Sequence, residues 1–159
     1  MSIRLKVVKT NRELEKVIAY LGDEFKWKDS IKTRIRSRLI EANKSIGFYG
    51  FTLQEKDGSL NGAILGINQG NIQEKIIINL MSIYISPKNR GINTFLFLEN
   101  IVKELNPTKY IITGYTASDS ADLIFQKVGF TRMKCGYLCW QITKEWIKVW
   151  KYLYVIFSK

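Results

Sequence analysis

The stretch from Met81 to Leu98 constrains the fold more than any other part of the chain. Its first half is apolar on both faces and ends at Pro87, which predicts a buried strand, and a helix is predicted to begin near Asn93. Between the two elements lie Lys88, Asn89, Arg90 and Gly91. A helix exposes unpaired N–H groups at its start, and here cationic side chains lie beside them. The junction therefore predicts a phosphate-binding site.

Composition narrows the chemistry that the chain can perform. A length of 159 residues predicts one domain that buries a core without disulfides or metal. The chain contains no histidine, which excludes imidazole bases, Ser-His and Cys-His nucleophiles and most catalytic zinc sites, so no metal is expected. The formal net charge of +11 favours polyanionic partners, namely a phosphorylated cofactor, nucleic acid or an anionic membrane surface.

Three features lead us to expect a cytoplasmic protein. Residues 1–9 lack the apolar core and cleavage site of a secretory signal. No apolar run reaches about 18 residues, the minimum for a membrane-spanning helix. Cys135 and Cys139 share one face of a predicted strand, and they lie too far apart along it to form a disulfide.

The first part of the chain predicts one strand and two helices. Residues 3–8 alternate apolar and cationic side chains, which is typical of a half-buried strand. A helix over 12–25 is expected to be capped by Asn11 and closed by Gly22. A second helix over 29–43 has Asp29 as its expected N-cap. It carries a basic face, expected to be solvated rather than to hold phosphate, that consists of Lys32, Arg34, Arg36 and Arg38.

The rest of the chain predicts a sheet with further helices. Strands over 46–54 and 60–68 flank the Asp57-Gly58 turn, and the run 75–86, apolar on both faces, predicts a central strand. A helix over 93–105, a strand over 110–116, a helix over 118–127 capped by Ser118 and ended by Gly129, and one or two strands over 131–142 follow.

This order of elements predicts an α/β fold in a single domain over residues 1–142. Its central sheet is mixed and mostly antiparallel, with parallel central strands, and helices flank it. In such sheets ligands bind at the carboxyl ends of the strands where the connections diverge. We therefore expect the junction loop and the turn at residues 116–118 to line one cleft.

Two segments within this order resemble the GNAT superfamily of acyl-CoA-dependent N-acyltransferases. That family carries Arg/Gln-x-x-Gly-x-Gly/Ala at a helix start, after a strand that ends near proline, and its backbone amides hold the CoA pyrophosphate. The similar segment here is residues 88–93, in which Lys88 replaces Arg or Gln and Asn93 replaces the last Gly or Ala. A register that starts at Arg90 fits worse. The resemblance extends from Ile3 to Ile142.

The second segment, residues 118–130, is similar to the family's Asn-x-x-Ala helix that ends in a Lys-x-Gly-Phe turn. The matching residues are Ala121, Lys127, Gly129 and Phe130. Ser118 stands in the position of the family's Asn. Phe125 stands where many members carry the tyrosine that protonates the departing CoA thiolate, and a phenyl ring has no proton to donate.

The resemblance implies transfer of an acetyl or other acyl group from acetyl-CoA to a primary amine of a small molecule or protein, by direct attack in a ternary complex. It also implies a set of residues that bind the acyl-CoA. They are Ile83, Ile85, Lys88, Asn89, Arg90, Gly91, Ile92, Asn93, Thr94 and Ser118.

The acid and the base for this chemistry are harder to identify from the sequence. The central strand has no carboxylate between Ile76 and Ser86. Glu74 lies just before it and is expected either to hold a water or to be solvated. Tyr84 and Tyr115 lie on strands that are expected to end at the cleft, and both are candidates for the catalytic acid. Proximity and polarisation of the carbonyl also contribute to the rate of such reactions.

Residues 143–159 form an aromatic and basic extension that is amphipathic as a helix. We expect it to pack on the domain or to contact a second copy in a homodimer, and docking on an anionic membrane is the alternative. Two further functional classes remain open. Asn93 and Phe125 suggest a catalytically degenerate acyl-CoA-binding or regulatory protein, and the basic surface suggests a protein that binds or modifies nucleic acid.

Overall fold

The computed structural model describes residues 3–105, 109–115 and 118–132, and the backbone of residues 137–140. The described chain folds into strands and α-helices around one sheet. In chain order these are β1 (Arg4–Val8), α1 (Asn11–Glu24), α2 (Asp29–Asn43), β2 (Gly50–Gln54), β3 (Leu60–Ile72), β4 (Lys75–Ile85), α3 (Ile92–Glu104), β5 (Tyr110–Tyr115), α4 (Asp119–Val128), β6 (Phe130–Arg132) and β7 (Tyr137–Trp140).

The strands form one seven-stranded sheet in the order β1-β2-β3-β4-β5-β7-β6. β4 and β5 run parallel, and the other neighbouring strands of the described chain run antiparallel. The predicted mixed sheet with a parallel centre and a central strand at β4 is therefore confirmed. The expected domain end at residue 142, the extension 143–159 and Cys135 lie outside the described residues.

The ends of the first two helices differ from the prediction. Thr10, rather than Asn11, caps α1, because Thr10 and Glu13 form a capping box in which each side chain accepts a hydrogen bond from the other residue's backbone N–H. Gly22 lies inside α1, which continues to Glu24. Lys28 takes the N-cap position of α2, and Asp29 is its first helical residue.

Helices bury both faces of the sheet, because successive residues of a strand point to opposite faces. On one face, the alternate β3 residues Ala63, Leu65 and Ile67 pack with the apolar stripes of α1 and α2. The other face carries Ile64 and Ile78, which pack with α3 and α4. Full burial of such aliphatic side chains contributes about 1.5–3 kcal/mol each.

β3 and β4 form a hairpin longer than predicted, since β3 continues to Ile72. Gln73 and Glu74 form its turn with positive φ angles of 45° and 66°. Glu74 thus lies at the amino end of β4, about 30 Å along the strand from its carboxyl end at Ile85. A catalytic water held by Glu74 is therefore incompatible with a cleft at the carboxyl ends.

The sheet opens between β4 and β5 at their carboxyl ends. Parallel pairing runs from Ile76 opposite Tyr110 to Leu80 opposite Gly114. At this point β4 contains a bulge, because Leu80 and Ser82 pair with adjacent β3 residues and Met81 is left over. Beyond it β4 remains paired with β3, whereas β5 continues toward β7. Beyond the bulge, one edge of β4 therefore faces a gap, because no strand of the described chain pairs with it there.

No helix in the part of the chain that the structure describes is both long enough and apolar enough to cross a membrane.

Asn43 connects α2 to β3 and provides a test of the layer packing. Its side chain is 2% exposed, donates to the Gly66 carbonyl over 2.8 Å and accepts from the Asn68 N–H over 2.8 Å. Asn43→Ala is expected to lower the free energy of unfolding by about 2–4 kcal/mol, because two backbone groups lose their partner. Urea-induced unfolding measures this loss. Gln69→Ala, at an exposed position of β3, is the control, and an equal loss in both variants would contradict the assignment.

Candidate functional site

A cavity of about 400 Å³ lies where the sheet opens. The end of β4, the loop before α3, the start of α4 and the residue after α1 all contribute to it. Of the predicted binding residues, it brings together Ile83, Ile85, Arg90, Gly91, Thr94 and Ser118. The junction loop and the start of α4 thus line one cleft, as the topology of the sheet requires.

The loop before α3 presents backbone N–H groups at this cleft. Gly91 precedes α3 with φ 86° and ψ −125°, and a Cβ built on it would meet no atom within 4 Å. No side chain of the described residues caps the helix. The backbone N–H groups of Thr94 and Phe95 donate to the Gly91 carbonyl. The N–H groups that precede them at the start of α3 are therefore the ones that an anion would meet.

The two cations of the loop point in different directions. Lys88 is exposed, and its Nζ lies 3.1 Å from Glu55 Oε1 on the side of the β2–β3 hairpin. Hydrogen bonds from Asn61 and then Lys88 lower the pKa of Glu55. Arg90 instead lines the cavity, donates from Nε to the Ile85 carbonyl over 3.1 Å and holds its guanidinium 5.8 Å from the centre of the Tyr84 ring. Arg90 is therefore the loop cation directed at the cleft.

Other predicted residues of the loop lie away from the cavity. Asn89 is buried and donates to Ser86 Oγ over 2.8 Å, so it holds the turn before α3 together. Ile92 is 74% exposed. Asn93 lines a separate pocket between α3 and β1.

Ser118 caps α4, since its Oγ accepts a hydrogen bond from the Ala121 N–H over 3.3 Å. Gly129 ends the helix in the left-handed conformation, as predicted. Both features rely on local backbone geometry, which explains why the sequence sufficed to predict them.

Phe125 lines the cavity but is only 5% exposed. Its ring packs edge to face on Phe130, with a centroid distance of 4.9 Å. The ring supplies a wall of the cleft and has no group that can donate a proton.

The two candidate tyrosines differ in position. Tyr84 lines the cavity, whereas Tyr115 is 68% exposed at the end of β5. A hydrogen bond to Glu24, followed by burial, raises the pKa of Tyr84, and Arg90 opposes this shift. The hydroxyl therefore keeps its proton at neutral pH.

Phe25 is a residue of the cavity that the sequence did not indicate. It follows the last residue of α1 and is 44% exposed, so no local pattern separates it from a solvated residue. Only the packing of α1 beside β4 brings its ring to Tyr84, at a centroid distance of 5.8 Å.

No family model and no curated protein sequence matches this chain. Solved structures do. A chain of the NatC complex bound to Gag peptide and CoA superposes with a TM-score of 0.60 at 14% identity, over 90% of this chain and 100% of that one. A spermidine N-acetyltransferase chimera of Vibrio cholerae SpeG and hSSAT gives 0.58 at 11% identity, over 84% and 82%. A GNAT acetyltransferase of Streptococcus agalactiae gives 0.52 at 14%, over 86% and 92%.

These matches establish the class of fold. The chain has the GNAT fold, and two of these three structures are described as acetyltransferases. The expected fold is thus confirmed over the described elements.

The backbone of Gly91 gives a test of the loop geometry. Gly91→Ala is expected to lower the free energy of unfolding by about 1–3 kcal/mol, because an L side chain is strained at this φ and ψ even where space is open. Urea unfolding measures the loss. Asn100→Ala, at an exposed position of α3 with helical backbone, is the control. A stable Gly91→Ala variant would show that the loop adopts another conformation.

Proposed function

We propose that this protein transfers an acetyl group from acetyl-CoA to a primary amine. One observation carries the proposal: the cavity in the opened sheet runs from the free edge of β4 to the uncapped start of α3. A long ligand with amide groups at one end and phosphates at the other fits this arrangement. Its amides would pair with the strand edge, and its phosphates would meet the helix start.

The residues of the chain fit the parts of acetyl-CoA. Gly91 leaves room for phosphate oxygens beside the backbone, and Arg90 lines the cavity as a cation next to it. Ile83 and Ile85 supply an apolar strand edge for the pantetheine arm. Acetyl-CoA supplies the activated thioester, and the cleft supplies binding and orientation.

Tyr84 is the phenol that we propose to act at the reacting centre. Its side chain lines the cavity, and its hydroxyl carries a proton that it can donate to a departing thiolate. The resemblance to the family would favour residue 125 as this acid, but Phe125 has no proton to donate. Tyr84 therefore takes over, from the β4 wall, a role that Phe125 cannot perform.

The acetyltransferase structures support this proposal through the shared fold, and the NatC structure contains CoA. A catalytically degenerate acyl-CoA-binding protein is the second candidate, and the phenyl ring of Phe125 is the observation that favours it. Calorimetric titration with acetyl-CoA, followed by a CoA-release assay with a panel of amines, separates the candidates. Binding with release supports the transferase, binding without release supports the second candidate, and no binding contradicts both.

Arg90→Gln is expected to raise the Kd for acetyl-CoA about tenfold or more, because a charged hydrogen bond to phosphate is worth about 1.5–3 kcal/mol. Lys88→Gln removes the same charge from the same loop and serves as the matched control. Since Lys88 pairs with Glu55 outside the cavity, its Kd is expected to stay within about twofold. Isothermal titration calorimetry measures both values. The reverse order of effects would place the phosphates on the Lys88 side.

Tyr84→Phe is expected to lower kcat about a hundredfold, the scale of a general acid, while the Kd for acetyl-CoA changes little. Tyr115→Phe is the matched control and is expected to retain the kcat of the wild type. Steady-state CoA release measures both variants. Equal activity of the Tyr84→Phe variant and the wild type would remove Tyr84 from the mechanism.

A further inference from the structure

One part of the sheet is buried although the cores formed with the described helices do not include it. Ile77 of β4 and Ile111 of β5 pair with each other and are 7% and 2% exposed. Neither belongs to the two apolar clusters in which the described helices pack on the sheet. A further part of the chain is therefore needed to cover them.

These two isoleucines lie on the same face of the sheet as α1. Their neighbours Ile78 and Ile112 belong to the cluster on the other face, and side chains alternate along a strand. Asn79 and Thr113 form the next pair on the α1 side, and Thr113 is 1% exposed. The four residues of this patch, which we call the β4–β5 face, are Ile77, Asn79, Ile111 and Thr113.

The polar pair on the β4–β5 face is compatible with an apolar cover. The Thr113 hydroxyl donates to Asn79 Oδ1 over 3.2 Å, so its proton has a partner within the sheet. Buried hydroxyl groups are costly only where they lack such a partner. An apolar segment can therefore lie over Thr113 without leaving its hydroxyl proton unpaired.

The order of the sheet limits which residues can cover this face. Residues 1–2 precede β1, which lies on the other side of β2 and β3. Residues 106–108, 116–117 and 133–136 are short connections between consecutive elements. β7, in contrast, ends beside the face, because Trp140 pairs with Ile112, the residue next to Ile111. Residues 141–159 continue the chain from this point.

The sequence of residues 143–159 suits an apolar sheet face. At helical spacing the large apolar side chains fall on one stripe, and lysines lie off it. The stripe consists of Trp146, Val149, Trp150, Leu153, Ile156 and Phe157. A helix of this segment would be about 25 Å long, which exceeds the paired part of β4 and β5.

A helix on the β4–β5 face would complete the layer that α1 begins. α1 packs with residues of β3, and β5 lies two strands away from β3, which is about 10 Å. Packed helices keep about 8–10 Å between their axes. A helix over β5 would therefore lie at contact distance from α1.

We propose that residues 143–159 form an amphipathic helix that packs, through its apolar stripe, on the β4–β5 face of the same chain. The stripe is then used within the domain rather than on a membrane or a second copy. The face holds the last pairs on this side before β4 and β5 separate, so the helix supports the sheet where the cleft begins. The inference is independent of the proposed acyl transfer, and its test uses no activity assay.

The test is a double-mutant cycle in the full chain, with thermal unfolding as the readout. One member, the stripe variant, replaces three residues of the stripe: Trp146→Ala, Trp150→Ala and Leu153→Ala. Its matched control, the lysine variant, replaces three residues of the same segment that lie off the stripe: Lys144→Ala, Lys148→Ala and Lys151→Ala.

The other member of the cycle is Ile111→Ala, which shortens a side chain of the β4–β5 face. Ile112→Ala is its matched control, because Ile112 is the next residue of β5, is 0% exposed and packs on the opposite face. If alanine prevents folding, Ile111→Val and Ile112→Val give a milder form of the same comparison.

The stripe variant and Ile111→Ala are each expected to lower Tm by about 5 °C or more. Together they are expected to lower Tm by clearly less than the sum, because each removes the partner of the other. The stripe variant combined with Ile112→Ala is expected to be additive, and the lysine variant to stay within about 2 °C of the wild type. Additive losses with Ile111→Ala, or equal losses in the stripe and lysine variants, would overturn the inference.

Two further measurements identify the occupant of the face. The same coupling is expected at high and low protein concentration, and a coupling that disappears on dilution would assign the face to a second copy and overturn the inference. In flotation with phosphatidylglycerol vesicles the wild-type protein is expected to remain unbound. Vesicle binding that the stripe variant loses would place the stripe on a membrane and would also overturn it.

Discussion

The separation of β4 from β5 is the constraint on which the site depends. Parallel pairing stops after Leu80 and Gly114, next to the bulge at Met81. Beyond that point each strand is held by its outer neighbour, so the gap costs no further hydrogen bonds within either half of the sheet. The opening provides a strand edge, a cavity and access to the start of α3. Without the separation, Ile83, Ile85 and Tyr84 would lie inside a continuous sheet.

The start of α3 gives the cleft a positive end. It faces the position proposed for phosphates, and Arg90 lies beside it. The backbone dipole makes this end of the helix positive, and the Arg90 guanidinium adds a full charge to it.

The two departures from the family pattern have different consequences. Asn93 lines a pocket on the far side of α3, so its side chain does not crowd the cleft. Phe125 does line the cleft and leaves that wall without a hydroxyl. Tyr84, which lies on β4, lines the cleft from another wall and carries a hydroxyl. Asn93 is therefore not an argument against enzyme activity. Phe125 remains one, and it is answered only if Tyr84 supplies the proton instead.

By itself, the sequence determined the order of the elements, the central position of β4 and the caps at Ser118 and Gly129. Periodicity and capping act within a few residues, so they can be predicted without a fold. Only the tertiary structure decided that Arg90 rather than Lys88 faces the cleft and that Phe25 meets Tyr84. Those contacts join residues far apart in the chain, and packing of the layers, which no local pattern encodes, brings them together.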